Sequence, residues 1–511
     1  GAGVGTGVVV DDAVDSPLDF LQIDWVNTPG RSFVRAAGAA GSVKWVYAVL
    51  AVIAVGVAGI AAALDWVVQW LSSLKAGVCV SAPYLTESLC CFASSGANSC
   101  SGFWTWAEAW AHVAQDPLRG LLPAGAVELA AFLGVSLALG GTAAWLVMVH
   151  APYAAGSGIP EVKAVLSGVL MRGSLSASTL VIKTVGLAMS VSSGLNAGKE
   201  GPFVHLAACL ASILARMVPS IALDHVQVCE IVACASAAGV AVAFAAPIGG
   251  VLFAFEEASS YFPKHLVWRC FFCATLAALF LKTLNPFFNG KLVMFEVTSA
   301  FKWHRFEILL FVMLGIMGGA IGSLFVHLNV KWTHYRLRTP RIKNHPVREV
   351  LVLVFITILV SYFVPLGQLN NTELLAGLFK SCASPHNNES THSFLCHASA
   401  HSFISVMVYT AVSKFILSVV TFGVRVPAGL FVPSLTIGAV LGRLVGVVVR
   451  HWSLVYPNFF LFRECDASSN CVEPSMYAII GAASVLGGVT QVSVSIAVII
   501  FELTGGVTHL I

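Results

Sequence analysis

The stretch SSGLNAGKEGPFVH, residues 192–205, sets a lysine and a glutamate between glycines in a 511-residue chain that is 57% hydrophobic and 10% charged. Gly194 to Lys199 resembles a phosphate loop. The spacing is one residue short, however, Glu200 stands where a magnesium-binding Ser or Thr belongs, and no parallel-sheet pattern precedes it, so a nucleotide site is rejected. Gly201-Pro202 after Glu200 instead predicts a helix start, because proline loses nothing in a first helical turn. The free N–H groups and positive dipole end there attract an anion, and Glu200 is the anion when nothing else is bound. Two readings stay open for Glu200: a carboxylate that competes with a diffusible anion and is released by protonation, or a capping glutamate paired with Lys199. Gly198, Lys199 and Gly201 support either one.

A second charged break lies in APIGGVLFAFEEASSYF, residues 246–262. Glu256 and Glu257 are about 100° apart on a helix, so one of them at most faces a given internal path. That one would relay protons; alternatively the pair marks the interfacial end of a helix. Ser157 in GSGIP offers a hydroxyl and free amides, GLFVP (429–433) offers a second set of amides, and Tyr477 opens the last apolar run with a phenol. Neutral donors and helix ends hold a halide loosely enough for it to leave again. An interfacial-belt tyrosine is the other reading of Tyr477.

The elements that must position these residues are membrane helices. Apolar runs recur at 45–70, 120–149, 231–255, 308–330, 350–364, 406–420 and 477–501, too long for barrel strands. Gly and Pro interrupt several of them, and broken helices at membrane depth belong inside protein or beside an aqueous path. Lys331, Arg336, Arg338, Arg341, Lys343 and Arg348 crowd one short connection, which the positive-inside rule makes cytoplasmic. No basic run accompanies a soluble domain, so nucleic acid is not an expected partner. No Ser/His pair, paired Asp or HExxH supports an intramembrane enzyme, and neither a metal nor a cofactor is implied.

Cys79, Cys90, Cys91 and Cys100 share one polar loop, Cys382 and Cys396 a second, Cys465 and Cys471 a third. These loops are expected to face an oxidising compartment, with pairing in at least one of them. Sequons at Asn370 and Asn388 in the second loop agree with that side. Residues 1–44 read as a cytoplasmic lead-in, 45–503 as one membrane domain with a division near 285–305, and 504–511 as the start of a cytoplasmic segment. GSGIPEVKAVLSG (156–168) and GVRVPAGLFVPSLTIG (423–438) echo one another, as repeats meeting at a central site would.

GSGIPEVK, GKEGPFVH, APIGGVLFAFEE and GLFVPS, in this order across most of 45–503, resemble the signature segments of the CLC family of chloride channels and chloride/proton exchangers. LKAGVC, LCCF and EEASSYFP are most similar to the intracellular exchangers of endosomes and lysosomes. The resemblance implies an all-α polytopic fold of two inverted repeats with broken and re-entrant helices. It also implies a homodimer with one ion path per subunit in an organelle membrane. Chloride would be held by Ser157, the amides of Leu430 and Phe431, and the Tyr477 hydroxyl. Glu200 would be the gating glutamate and Glu257 the internal proton glutamate. An acid at position 257 favours coupled antiport over a passive voltage-gated channel. The tandem CBS domains that eukaryotic members usually carry after the last helix are not expected in this chain.

Overall fold

The computed structural model describes residues 21–22, 39–80, 82–92, 102–113, 124–171, 173–258, 262–284, 304–380, 400–456, 459, 462 and 472–504. The principal helices are α1 (Ala39–Ala76), α2 (Ala124–His150), α3 (Ile159–Leu166), α4 (Ala177–Ser192), α5 (Glu200–Met217), α6 (His225–Phe244), α7 (Pro247–Phe253) and α8 (Lys264–Leu284). A second series follows: α9 (Glu307–Arg338), α10 (Pro346–Tyr362), α11 (Asn371–Phe379), α12 (Ala400–Thr421), α13 (Phe431–Val455), α14 (Pro474–Thr490) and α15 (Val494–Thr504). Seven helices of the described residues are long and apolar enough to cross a membrane. The protein is an all-α polytopic membrane protein. Its only described strands form two small pairings, β1 (Leu21–Gln22) with β4 (Val169–Leu170) and β2 (Gly77–Cys79) with β3 (Phe103–Thr105).

The two series repeat one another. Each opens on a very long helix, 38 residues in α1 and 32 in α9. At 1.5 Å per residue these run about 57 and 48 Å, so both tilt or project beyond a hydrocarbon core of roughly 30 Å. Each then passes through a short third helix, α3 or α11, to a pair ending in α5 or α13. The expected division near 285–305 falls mostly outside the described residues, at the place where the series changes over. The long helices also run in opposite senses. The C-terminal end of α1 leads into the disulfide Cys79–Cys90, whereas that of α9 carries Arg336 and Arg338, the cytoplasmic signature.

Two expectations about boundaries shift. The first helix is continuous from Ala39, while the stretch apolar enough to cross a membrane begins at Lys44. Leu21 and Gln22 pair with Leu170 and Val169, so part of that lead-in is tied to the membrane domain. Cys91 is likewise disulfide-bonded. Cys100, Cys382, Cys396, Cys465, Cys471 and Asn388 lie outside the described residues, as do 505–511. Asn370 is the N-cap of α11, and its amide and backbone nitrogens both donate to Glu373.

Without a hydrophobic drive between helices in lipid, close backbone approach holds such a bundle together, and small residues permit it. α13 and α14 meet along Gly438, Gly442 and Gly481. A methyl group on Gly438 would stand 2.2 Å from the Gly481 carbonyl oxygen, and one on Gly442 2.0 Å from that of Tyr477. α6, almost wholly buried, packs against α5 in the same manner.

Candidate functional site

The site is built where helices begin. Gly198 and Gly429 exchange both backbone hydrogen bonds, at 2.8 Å each, which locks the start of α5 against the start of α13. The Gly156 N–H donates to the Val426 carbonyl at 2.9 Å, bringing the start of α3 to the same point. Three helix N-termini therefore converge inside the bundle. The first N–H groups of each have no intrahelical acceptor, so their partial positive charges sum there. The repeat is closest between Gly198-Lys-Glu-Gly-Pro202 and Gly429-Leu-Phe-Val-Pro433, not between 156–168 and 423–438. The element order places α3 opposite α11 and α5 opposite α13.

Gly158 sits at φ +83° as the N-cap of α3, in the left-handed region that favours glycine. Gly201 has no room for a side chain, since a methyl there would lie 2.3 Å from Ser157 Oγ. These two glycines aim the Ser157 hydroxyl at the first turn of α5. Phe244 and Phe253 set their rings edge-on to Phe431, with centroids at 5.8 and 6.3 Å, and make the surroundings apolar.

Glu200 is 1% exposed; no side chain hydrogen-bonds to its carboxylate, which faces the backbone N–H groups of Lys199 and Glu200 at the helix start. Its side chain lies over Gly198, whose missing Cβ would be 2.6 Å from Oε2. The Lys199 ammonium makes its ion pair with Asp65 of α1 and acts on Glu200 by charge alone, with no direct ion pair between the two. Lys199 also lies over the Phe203 ring, 6.0 Å from its centroid. A buried carboxylate held only by backbone N–H groups at convergent helix starts occupies the place where an anion would be favoured.

Behind Ser157, the buried Lys183 ammonium donates to the Gly156 carbonyl at 3.1 Å and to His205 Nδ1 at 2.9 Å. An ammonium only donates, so Nδ1 is the acceptor and the ring hydrogen is on Nε2, which faces the Ser174 carbonyl at 3.2 Å. This pair fixes the loop that carries Ser157. Sequence reasoning did not single out His205 or Asp65. Asp65 was legible as a lone acid within an apolar run.

The second acidic pair also divides. After α7 the chain winds through a π turn, Ala254–Ala258, a form found often at functional sites. Glu256 accepts from the backbone N–H groups of Ser493, Val494 and Ser495 and from Ser495 Oγ, at 2.6–3.4 Å, and so caps α15. Near the far end of α15, Glu502 returns the same service to α7, accepting from Ile248 and Gly249 at 3.0 and 2.7 Å. Glu257 takes no part in this clasp. It meets Lys163 of α3 at 3.0 Å, partly exposed. α3 thus carries Ser157 before its start and the partner of Glu257 near its end, about 9 Å apart along the helix axis.

Tyr477 is not brought to the site. It packs beside Gly442 and Gly446, against the Phe311 ring at 5.2 Å. Gly442 is eleven residues beyond Phe431, about 16 Å along α13. The reason is topological: α13 and α14 are antiparallel, so the first turn of α14 meets the far end of α13. Ser157, Glu200, Gly198, Gly201, Leu430 and Phe431 converge; Tyr477 does not join them.

Broken helices meeting at a buried acid, in a bundle of two opposed series, define a membrane transport protein of the CLC architecture. Residues 139–511 match the family model described as voltage gated chloride channel. The chain is 36% identical to the mouse and human proteins named H(+)/Cl(-) exchange transporter 3, over all of this chain and 67% of theirs. It is also 36% identical to mouse H(+)/Cl(-) exchange transporter 5, with the same coverage. A crystal structure of a eukaryotic CLC transporter superimposes with a TM-score of 0.64 at 24% identity, covering 92% of this chain and 69% of that one. A cyanobacterial Cl-/H+ antiporter gives 0.64 at 20%, covering 91% and 89%. The chain belongs to the voltage-gated chloride channel family.

Proposed function

We propose that this protein is a secondary active chloride/proton antiporter. The observation that carries the reading is Glu200, a buried carboxylate with no side-chain hydrogen-bond partner at the junction of three helix N-termini. Chloride is held by Ser157 and the amides of Leu430 and Phe431. Ionised Glu200 competes for the same positive helix ends, and protonation releases it. Glu257, at the cytoplasmic edge, hands protons toward it; Glu256 is engaged elsewhere, which leaves Glu257 as the acid available for that task. Lys199 acts by holding Asp65, and Lys183 with His205 by holding the Ser157 loop. Chloride and protons moving in opposite directions carry charge in the same sense. The cycle is therefore electrogenic, and each net charge is worth about 2.3 kcal/mol per 100 mV. The relatives' names favour exchange over a passive channel; an organelle membrane as its place and a homodimer with one path per subunit as its form rest on the resemblance of the signature segments alone.

The test is proton movement into liposomes under an imposed chloride gradient. Wild type moves protons uphill; Glu200→Gln and Glu257→Gln move none while chloride still flows. Chloride flux without proton movement in wild type would make the protein a channel.

A further inference from the structure

A cavity of about 30 Å³ opens beside Gly194 and Gly198, on the non-cytoplasmic side of Glu200. The end of α1 that follows into the disulfide-bonded loop forms one wall of it, and the outer end of α10 another. Lys75, Lys199 and Lys414 all line it, with Phe132, Gln368 and Asn371. Lys75 is 3% exposed and Lys414 7%. Neither forms an ion pair among the described residues.

The surroundings orient these cations without a direct ion pair. Lys414 Nζ donates to Asn371 Oδ1 at 2.9 Å, Asn371 Nδ2 to Asn196 Oδ1 at 2.7 Å, and Asn196 Nδ2 back to the Lys414 carbonyl at 2.8 Å. Asn196 Nδ2 also meets Ser418 Oγ. This ring of contacts leaves two of the Lys414 hydrogens for the cavity. Lys75 Nζ lies 5.1 Å above the Phe132 ring and has no hydrogen-bond acceptor among the described residues. Glu373 acts on Lys75 from a distance, but its oxygens accept from the backbone and side-chain nitrogens of Asn370. Lys199 is held by Asp65. Two buried ammoniums of like charge facing one small space are costly unless an anion joins them.

We infer that this cavity binds a small inorganic anion between Lys75 and Lys414, at a position separate from the helix-start site of Glu200 and Ser157. The ligand class follows from donors and size. Ammoniums only donate, so the ligand is an acceptor. The space holds about two water-sized particles, which admits a halide or a nitrate-sized oxyanion and excludes a nucleotide or a phosphate ester. Standing outside the gate, the site raises the local anion concentration on one face of the membrane only.

The probe is bromide, located by anomalous diffraction in crystals of the whole chain. The expected result is a bromide peak between Lys75 and Lys414 in wild type, retained in Lys75→Arg and lost in Lys75→Met. If Lys75→Met does not fold, Lys414→Gln makes the same test. In liposomes, Lys75→Met should raise the half-saturating chloride concentration several-fold from the non-cytoplasmic side and leave the cytoplasmic side unchanged. A bromide peak near Ser157 with none at Lys75 overturns this inference and leaves the antiporter reading intact. A peak at Lys75 in a protein that moves no protons keeps the site and overturns antiport.

Discussion

The starts of α5 and α13 are two copies of one backbone device carrying different chemistry. Their N-cap residues have nearly the same conformation, φ −101°, ψ −16° at Lys199 and φ −97°, ψ −18° at Leu430. Each follows the glycine that bonds to its counterpart, and each precedes a proline two residues after the helix's first residue. At that first residue one copy has Glu200 and the other Phe431, held among aromatic rings. The comparison teaches that the amides alone make a neutral anion cradle in both halves. In the proposed mechanism, a single carboxylate in one half turns that cradle into a site with a movable, protonatable competitor.

The two glycines give the sharpest way to break this symmetry. A methyl on Gly429 would meet the Gly198 carbonyl oxygen and Pro202 Cδ at 2.9 Å each, contacts made by backbone and a rigid ring. Gly429→Ala should therefore pry the helix starts apart, lowering stability by about 1–3 kcal/mol and reducing chloride flux more than tenfold. A methyl on Gly198 meets chiefly Glu200 Oε2, the free end of a flexible side chain, at 2.6 Å. Gly198→Ala should keep the fold and displace the carboxylate, so that chloride flux persists with weakened proton coupling. Thermal unfolding and paired chloride and proton fluxes of the two variants decide the matter. Equal loss of stability in both would mean that the halves are mechanically equivalent here and that Glu200 is not free to move.

Lys199 has no charged equivalent in the second half, where Leu430 stands, and its role is tested through Asp65. Asp65→Asn releases the Lys199 ammonium toward Glu200, which should tether the ionised carboxylate and slow chloride turnover several-fold. Lys199→Met in the same chain should restore part of the rate, a coupling that a double-mutant cycle measures directly. Additive losses would show that Asp65 acts only on stability.

How far these features were legible depends on whether they are local. Membrane helices and the helix start at Gly201-Pro202 follow from composition and nearest neighbours, and the sequence reading of each agrees with the fold. The pairing of Gly198 with Gly429 spans 231 positions and shows in the sequence only as two short motifs of similar shape; the echo was accordingly assigned to the wrong partner segment. Glu256 and Glu257 are chemically identical neighbours, and only the approach of α15 tells them apart. Glu256→Gln or Glu502→Gln should each weaken one arm of that clasp, worth about 1 kcal/mol as a helix cap. Either variant should lower the unfolding temperature and leave proton coupling closer to wild type than Glu257→Gln does. Coupling lost equally in all three would make the clasp part of the proton path.

The smallest effect is expected at Tyr477, whose phenol was assigned to chloride by family resemblance. Its position at the first turn of α14 puts it beside Gly442 and Gly446 of α13, and its buried hydroxyl faces the Glu307 carboxylate. Deleting the hydroxyl takes a donor from the buried Glu307 carboxylate, so Tyr477→Phe should lower stability, by about 1 kcal/mol, without touching the anion site. The ring stays, and with it the contact to Phe311. Chloride half-saturation should then match wild type within twofold, while Ser157→Ala weakens it. A tenfold rise in Tyr477→Phe would return the phenol to the anion path and require α14 to sit differently against α13.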